Sequence, residues 1–107
     1  MKKDINVKTS LGLFSVMNQT AEEIEKKCGE AAYGYVDVDD EIIGINESSN
    51  SKQKKITFLH ELLHIMLEEH GHNSLSCNED FVDSLSKELY VILSNNDINK
   101  LLESVSK

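Results

Sequence analysis

The sequence predicts an α+β fold, a small antiparallel sheet packed on a central helix and on a C-terminal helix. Short runs rich in β-branched and aromatic residues occupy the first half of the chain. Two long segments with apolar residues at helical spacing occupy the second half. With 107 residues, of which 39% are apolar and 28% charged, the composition matches one globular domain covering residues 1–107.

Two β-hairpins are expected before the first long helix. Residues 5–8 and 13–16 are strand-forming runs, and Gly12 belongs to the turn-forming residues between them. Residues 31–38 and 41–46 hold the tyrosines and isoleucines that favour a second antiparallel pair. In the second pair, residues 41–46 are the candidate for an edge strand that binds extended substrate; a purely structural strand is the alternative.

A short helix is predicted over residues 20–28, between the two hairpins. Thr20 is a good N-cap, and Glu23 completes a capping box with it. Gly29 follows directly and is suited to end the helix in a left-handed conformation. The polarity of this segment indicates an exposed helix.

Three further helices follow. The first covers residues 54–69, after a polar loop at 47–51 that supplies N-caps, and Gly71 can end it. The second covers residues 78–93, and Asn95 and Asn96 interrupt the chain before a short helix at 97–105. An apolar stripe on the second helix is expected to be core: Phe81, Val82, Leu85, Leu89, Ile92 and Leu93.

The central helix carries the pattern His60-Glu61-Leu62-Leu63-His64. Residues four apart lie on one helix face with Cβ atoms about 5–6 Å apart, so both imidazoles can reach one zinc ion. Glu61 lies beside them and is placed to act as a general base that takes a proton from water. Three ionisable side chains in an apolar helix are costly to bury unless they are paired or bind a metal. Two surface histidines on an amphipathic helix are the alternative.

A catalytic zinc also needs a third protein ligand, for which we favour Glu79. Asp83 follows one turn later on the same helix face and can accept the free ring N–H of a ligand histidine. A structural alternative exists for Glu79, because Ser76-x-x-Glu79 also fits a capping box.

Three other side chains compete for the third position: His70, His72 and Asp80. His70 has the spacing of H-E-x-x-H-x-x-G-x-x-H enzymes, but Leu67 stands where those enzymes have glycine. His70 and His72 could instead donate a hydrogen bond to a developing oxyanion, as could Tyr33 and Tyr35. Solvated loop histidines are the simpler interpretation.

The two motifs together resemble a known family. Thr57-Phe58-Leu59-His60-Glu61-Leu62-Leu63-His64 and Glu79-Asp80-Phe81-Val82-Asp83 are similar to motifs of small zincin-type metallopeptidases of phages and prophages, related to the ImmA/IrrE family. The resemblance implies a minimal zincin-like domain with His60, His64 and Glu79 as zinc ligands and Glu61 as general base. The chain departs from larger members because it has no helix-turn-helix domain and has Leu63 in place of the glycine of H-E-L-G-H.

These observations predict a zinc-dependent metalloendopeptidase, a phage- or prophage-encoded hydrolase acting on an unidentified peptide or protein. A non-catalytic zinc-binding domain that binds a host or phage protein is the alternative from another class. A structural protein without metal is the third possibility.

Charge and cysteine content limit the partners and the compartment. The net charge of −8 argues against binding to nucleic acid or to an anionic membrane surface. No apolar run approaches the roughly 20 residues that span a bilayer, and the N-terminus lacks the apolar region of a signal peptide. We therefore expect a cytoplasmic protein, in the host cytoplasm if phage-encoded. Cys28 and Cys77 are expected to be free thiols, with Cys77 a weak candidate zinc ligand.

Overall fold

The computed structural model describes residues 5–107, and within that range four strands and five helices follow one another. In chain order these are β1 (Ile5–Thr9), β2 (Gly12–Gln19), α1 (Ala21–Cys28), β3 (Gly34–Asp37), β4 (Ile42–Asn46), α2 (Ser51–Glu69), α3 (Asn73–Ser76), α4 (Glu79–Asn95) and α5 (Ile98–Val105). The predicted α+β class is confirmed. Residues 1–4, which belong to the predicted domain and to the N-terminus judged to lack a signal peptide, lie outside the described range.

The four strands form one mixed sheet in the order β1-β2-β4-β3. Both predicted hairpins are present as antiparallel pairs, but β2 and β4 run parallel, so the prediction of an antiparallel sheet was wrong. The reason lies in the connection between the hairpins. The chain leaves β2 through α1 and forms β3 before β4, which brings β4 alongside β2 in the same direction. Turn residues specify each hairpin locally, whereas the pairing between hairpins is a long-range contact.

The position of β4 also corrects the predicted substrate strand. Residues 41–46 contain β4, which is paired on both sides, with β2 and with β3, and therefore has no free edge. The edge of the sheet on this side is β3, which is shorter than predicted. Glu41 joins the two strands with a φ of 55°, and the Asp37 side chain accepts a hydrogen bond from the Asp40 backbone N–H in the same turn.

The core lies between the sheet and α2. Phe14 on β2 and Ile43 on β4 are fully buried, and Ile65 on α2 is 1% exposed where it packs with them. Alternation along each strand places every second side chain on this helix-facing side of the sheet. Partly buried side chains surround the cluster: Val7, Val16, Val36, Phe58 and Leu62.

A glycine allows α2 to approach the edge strand closely. A Cβ atom at Gly34 would lie 2.5 Å from the Gly44 carbonyl oxygen and 2.6 Å from Cγ2 of Thr57. Thr57 itself is 3% exposed, one helical turn before the first histidine of the motif. The absence of a side chain at position 34 thus sets the distance between the candidate site on α2 and the edge of the sheet.

The helix ends follow the predicted capping residues. Thr20 and Glu23 form the expected capping box at the start of α1, and Gly29 ends the helix with a φ of 82°. Asn50 caps α2, within the predicted polar loop. Asp97 caps α5 after the predicted interruption of the chain. The prediction that α1 is exposed is confirmed: all of its residues except the fully buried Ile24 are exposed.

The predicted core stripe on α4 is only partly correct. Val82 is fully buried, but Leu85 and Ile92 are each 39% exposed and Leu93 is 45% exposed. Leu93, near the end of α4, lines an unfilled groove beside the sheet and α2 instead of the packed core, so the apolar stripe continues where the core does not. Periodicity predicts which side of a helix is apolar but not how far along the helix the core reaches.

Among residues 5–107, no helix is both long enough and apolar enough to cross a membrane.

Candidate metal centre

His60 and His64 lie one turn apart on α2, as the spacing predicts. Their Nε2 atoms are 3.2 Å apart, and their rings meet edge to face with centroids separated by 4.9 Å. Both side chains are largely buried, with 15% and 13% of their surface exposed. Helix geometry therefore brings the same ring nitrogen of both residues to one point.

Glu79 at the start of α4 points to the same place. Its Oε2 lies 3.2 Å from Nε2 of His60, and its Oε1 lies 3.4 Å from Nε2 of His64. Donor atoms that bind one zinc ion at about 2.0–2.1 Å in a tetrahedral arrangement lie about 3.3 Å from one another. The two ring nitrogens are separated by nearly that value, and each has a Glu79 oxygen at a similar distance, so His60, His64 and Glu79 form a group that could hold a metal ion.

Each imidazole also has a hydrogen-bond partner at Nδ1, the ring nitrogen that faces away from Glu79. For His60 the partner is Asp83, whose Oδ1 lies 3.1 Å from Nδ1. For His64 the partner is Ser76, whose hydroxyl oxygen lies 2.8 Å from Nδ1 and in turn donates to Oε2 of Glu68 at 3.2 Å. A carboxylate only accepts, and the single Ser76 proton is used on Glu68, so both histidines donate from Nδ1.

This tautomer has a consequence for the centre. With hydrogen on Nδ1, a neutral imidazole carries its lone pair on Nε2, and in that form both rings turn a lone pair towards the other and towards the Glu79 carboxylate. A cation at this point would be attracted by all three groups. The donor set of two imidazoles and one carboxylate is also one that zinc accepts in catalytic sites.

The role of Ser76 was not predicted. A capping box between Ser76 and Glu79 was the structural alternative to Glu79 as a ligand, but Asn78 is the N-cap and accepts from the Phe81 backbone N–H. Ser76 is instead 6% exposed on α3 and joins His64 to Glu68. No local signal distinguishes these possibilities, because Ser76 lies 12 positions from His64 in the chain.

Glu61 lies between the core side and the histidine side of α2 and is 7% exposed. Burial raises the pKa of Glu61 to about 8, and the negative charge of Glu79 contributes in the same direction. For His64, burial and the neighbouring His60 lower the pKa, which favours the neutral ring that a metal ligand requires. The site thus combines a His64 ring that favours its neutral form with a carboxyl group whose pKa is about 8.

A cleft of about 680 Å³ opens over these groups, and it is lined by His60, Glu61, His64, Glu79 and Asp83 on one side. The edge strand β3 lines the opposite side, together with Tyr33 and the end of α1 at Cys28. Cleft walls formed by an open strand edge are suited to an extended peptide.

The remaining candidates are spread around the site. Tyr33 lines the cleft and is 60% exposed, whereas the Tyr35 hydroxyl donates to Gln19 at 2.9 Å. The other third-ligand candidates are exposed and fall outside the metal-binding group: His70, His72 and Asp80. Cys77 is exposed and also outside that group. Both cysteines are free thiols, as expected.

Comparisons with known proteins do not identify a family for the chain: no protein-family model, no curated protein and no solved structure matches it. The assignment of a function therefore depends on the geometry of the site and on its motifs.

Replacing Ser76 by alanine tests the support behind His64. The variant loses the acceptor that holds hydrogen on Nδ1, so the ring can rotate or change tautomer. We expect zinc affinity to fall by about 10- to 100-fold, the usual effect of losing such a partner. Competition with a chromophoric chelator measures the affinity. Ser74→Ala is the matched control, because Ser74 is exposed on the same turn of α3. Equal zinc affinities in the two variants would show that Ser76 does not support His64 as a ligand.

The raised pKa of Glu61 predicts that the stability of the metal-free protein depends on pH. Its folded-state pKa of about 8 lies above the ordinary value of 4.5, so the folded state retains a proton that the unfolded state loses. The free energy of unfolding must then fall as pH rises between these values, by at most about 1.4 kcal/mol per pH unit. Glu61→Gln removes this contribution.

The measurement is urea unfolding of chelator-treated wild type and of Glu61→Gln across that pH range. The difference between the two proteins should grow in favour of the variant as pH rises, while titration of the histidines cancels in the comparison. Glu88→Gln, at an exposed position of α4, is the control and should follow the wild type. Parallel curves for wild type and Glu61→Gln would contradict the raised pKa.

Proposed function

We propose that the chain is a zinc-dependent metalloendopeptidase, a hydrolase with a minimal zincin-like domain of the kind found in ImmA/IrrE-related proteins of phages and prophages. One observation carries the proposal: the Nε2 atoms of His60 and His64 and the carboxylate of Glu79 converge, with separations of 3.2 to 3.4 Å, beside a buried carboxyl group. A structural site would need only the ligands, whereas Glu61 adds a group capable of acid–base chemistry.

His60, His64 and Glu79 would hold the ion, and the donor set favours zinc. Two nitrogens and one carboxylate oxygen leave a fourth position open, which is typical of catalytic rather than structural zinc. When bound, zinc polarises a carbonyl oxygen and lowers the pKa of a water molecule to about 7. Asp83 and Ser76 keep the ligand nitrogens aimed at that position.

Glu61 supplies the proton transfer. A peptide bond is hydrolysed when water attacks the carbonyl carbon, loses a proton, and the leaving amine gains one. A cation held by the neighbouring ligands would favour the ionised form of Glu61, which could then accept the first proton and pass it to the leaving amine; burial raises the proton affinity of this carboxylate. Asp83 lines the same cleft but is engaged with His60, so Glu61 is the better base.

The substrate strand in this proposal is β3 rather than the predicted segment 41–46. β3 has one partner, β4, so the backbone groups on its other side are free to pair with an extended peptide. Gly34 and Val36 on β3 line the cleft that also contains His60 and Glu61. A peptide added to this edge would run past the three ligands, which is consistent with cleavage within a chain.

A second function is supported by a different observation. The candidate ligands come from two helices, two from α2 and one from α4, so a bound ion would join these helices. The chain could therefore be a non-catalytic zinc-binding domain that presents a surface to a host or phage protein. In that case Glu61 would have no chemical role.

Glu61→Gln separates binding from hydrolysis. The amide keeps the size of the side chain but cannot accept the proton, so we expect zinc affinity near that of the wild type and hydrolysis reduced by about 10²- to 10⁴-fold. Cleavage of a diverse mixture of synthetic peptides, followed by mass spectrometry, gives the rate without a known substrate. Glu88→Gln should cleave like the wild type. Full activity in Glu61→Gln would exclude this mechanism.

Removal of the metal separates the two functions. The core around Phe14, Ile43 and Ile65 contains none of the ligands, so we expect the chelator-treated peptidase to keep its far-ultraviolet circular dichroism spectrum. Unfolding on chelation favours the structural zinc domain instead. Metal analysis of protein equilibrated with zinc is the common control, and a result without bound zinc contradicts both functions and favours the metal-free alternative.

A further inference from the structure

The C-terminal arm, defined as residues 87–105, contributes almost nothing to the core. No residue of the arm is buried, and α5 as a whole has no buried residue. Leu101, Leu102 and Val105 on α5 are 49%, 60% and 79% exposed. With Ile98 they recur at i, i+3, i+4 and i+7, so α5 carries one continuous apolar side that has no partner within residues 5–107.

The same chain contains an unfilled apolar groove at the base of the arm. The groove has a volume of about 580 Å³ and lies between the sheet, the first half of α2 and the end of α4. Ile5, Phe58 and Leu93 are among its apolar walls, and Ile5 is 59% and Leu93 45% exposed. A groove of this shape and polarity is suited to the apolar side of an amphipathic helix.

Charge does not oppose contact between these two surfaces. The arm contains three acidic residues and two lysines, Lys87 and Lys100, so it is close to neutral although the chain carries −8. The charged residues that line the groove are Lys54 and Lys55, and none of its lining residues is acidic. The acidic excess of the protein is therefore located elsewhere, and two copies can bring arm and groove together without strong repulsion.

The extent of the arm favours a second copy as the occupant. The described part of the chain measures 49 × 35 × 25 Å, with a radius of gyration of 14.5 Å, against about 13 Å for a compact chain of this length. In this conformation α5 leaves its own groove unfilled. A helix that projects from the body can reach the equivalent groove of another molecule, and the reverse contact then forms by symmetry.

From these observations we infer that the chain forms a two-fold symmetric dimer in which α5 of each copy packs its apolar side into the groove of the other. The contact would cover Leu101, Leu102 and Val105, which are 49% to 79% exposed, together with the apolar walls of the groove; a standard interface buries about 800 Å² on each partner. The groove and the metal cleft share no lining residue, so the dimer leaves the candidate site open. This inference does not depend on the proposed function.

Light scattering coupled to size-exclusion chromatography, together with sedimentation equilibrium, tests the dimer on the full chain. Val105→Glu places a charge on the apolar side of α5, and Ile5→Lys places one in the groove. Because burying an unpaired charge in an interface is costly, each variant should raise the dimer dissociation constant by about 30-fold or more. Both side chains are exposed in the monomer, so folding and zinc affinity should be unchanged, and circular dichroism and chelator competition check this.

Leu13→Glu is the matched control. Leu13 is 55% exposed on β2 and lies on the opposite side of the sheet from Phe14, away from the groove. The wild type and Leu13→Glu should both be dimers. A mixture of Val105→Glu and Ile5→Lys should form mixed dimers, because one α5–groove contact then remains intact.

Three results would overturn the inference. A wild type that is monomeric at all concentrations indicates that α5 folds back into its own groove or stays uncovered. A dimer that persists in both variants is held together by another surface. Loss of the dimer in only one of the two variants means that α5 and the groove are not partners.

Discussion

The packing of α2 against the sheet is the contact on which the rest of the molecule depends. Ile65 and its neighbours anchor one side of this helix over Phe14 and the central strands. The adjacent side of the same helix then faces the cleft and carries His60, Glu61 and His64. Because a helix is rigid over this length, fixing one side fixes the direction of the other. The core and the candidate centre are therefore two sides of one element.

Burial of ionisable groups on α2 would be unfavourable without the elements that surround it. Each histidine is held at Nδ1 by a residue from outside α2, Asp83 on α4 and Ser76 on α3. These contacts orient both rings and leave their Nε2 atoms directed at Glu79. Glu61 keeps a proton instead of a charge in the absence of a cation. Each histidine thus has a polar partner at Nδ1, and both converge with Glu79 where a metal ion could be held.

Whether a feature of the fold or of the candidate site could be predicted depends on how far apart in the sequence the interacting residues lie. The hairpins, the capping box at Thr20 and the end of α1 at Gly29 follow from residues within a few positions of one another, and they were predicted; α2 begins at Ser51, before the predicted start at residue 54. Glu79 could also be favoured over other candidates, because Asp83 lies on the same helix face. The contact of Ser76 with His64 was not predicted, because local sequence offered only a capping pattern for Ser76 and could not show that Asn78 caps the helix.

The amino-acid sequence alone was therefore enough to predict the α+β class, the hairpins and the convergence of two imidazoles. Each of these depends on the spacing of residues within a strand, a turn or a helix. Tertiary packing alone decided that β2 and β4 run parallel, that β3 and not β4 has the free edge, and that the apolar stripe of α4 continues past the core. These features depend on how separate elements meet in space. Contacts between distant segments leave no periodic signal in the residues that make them.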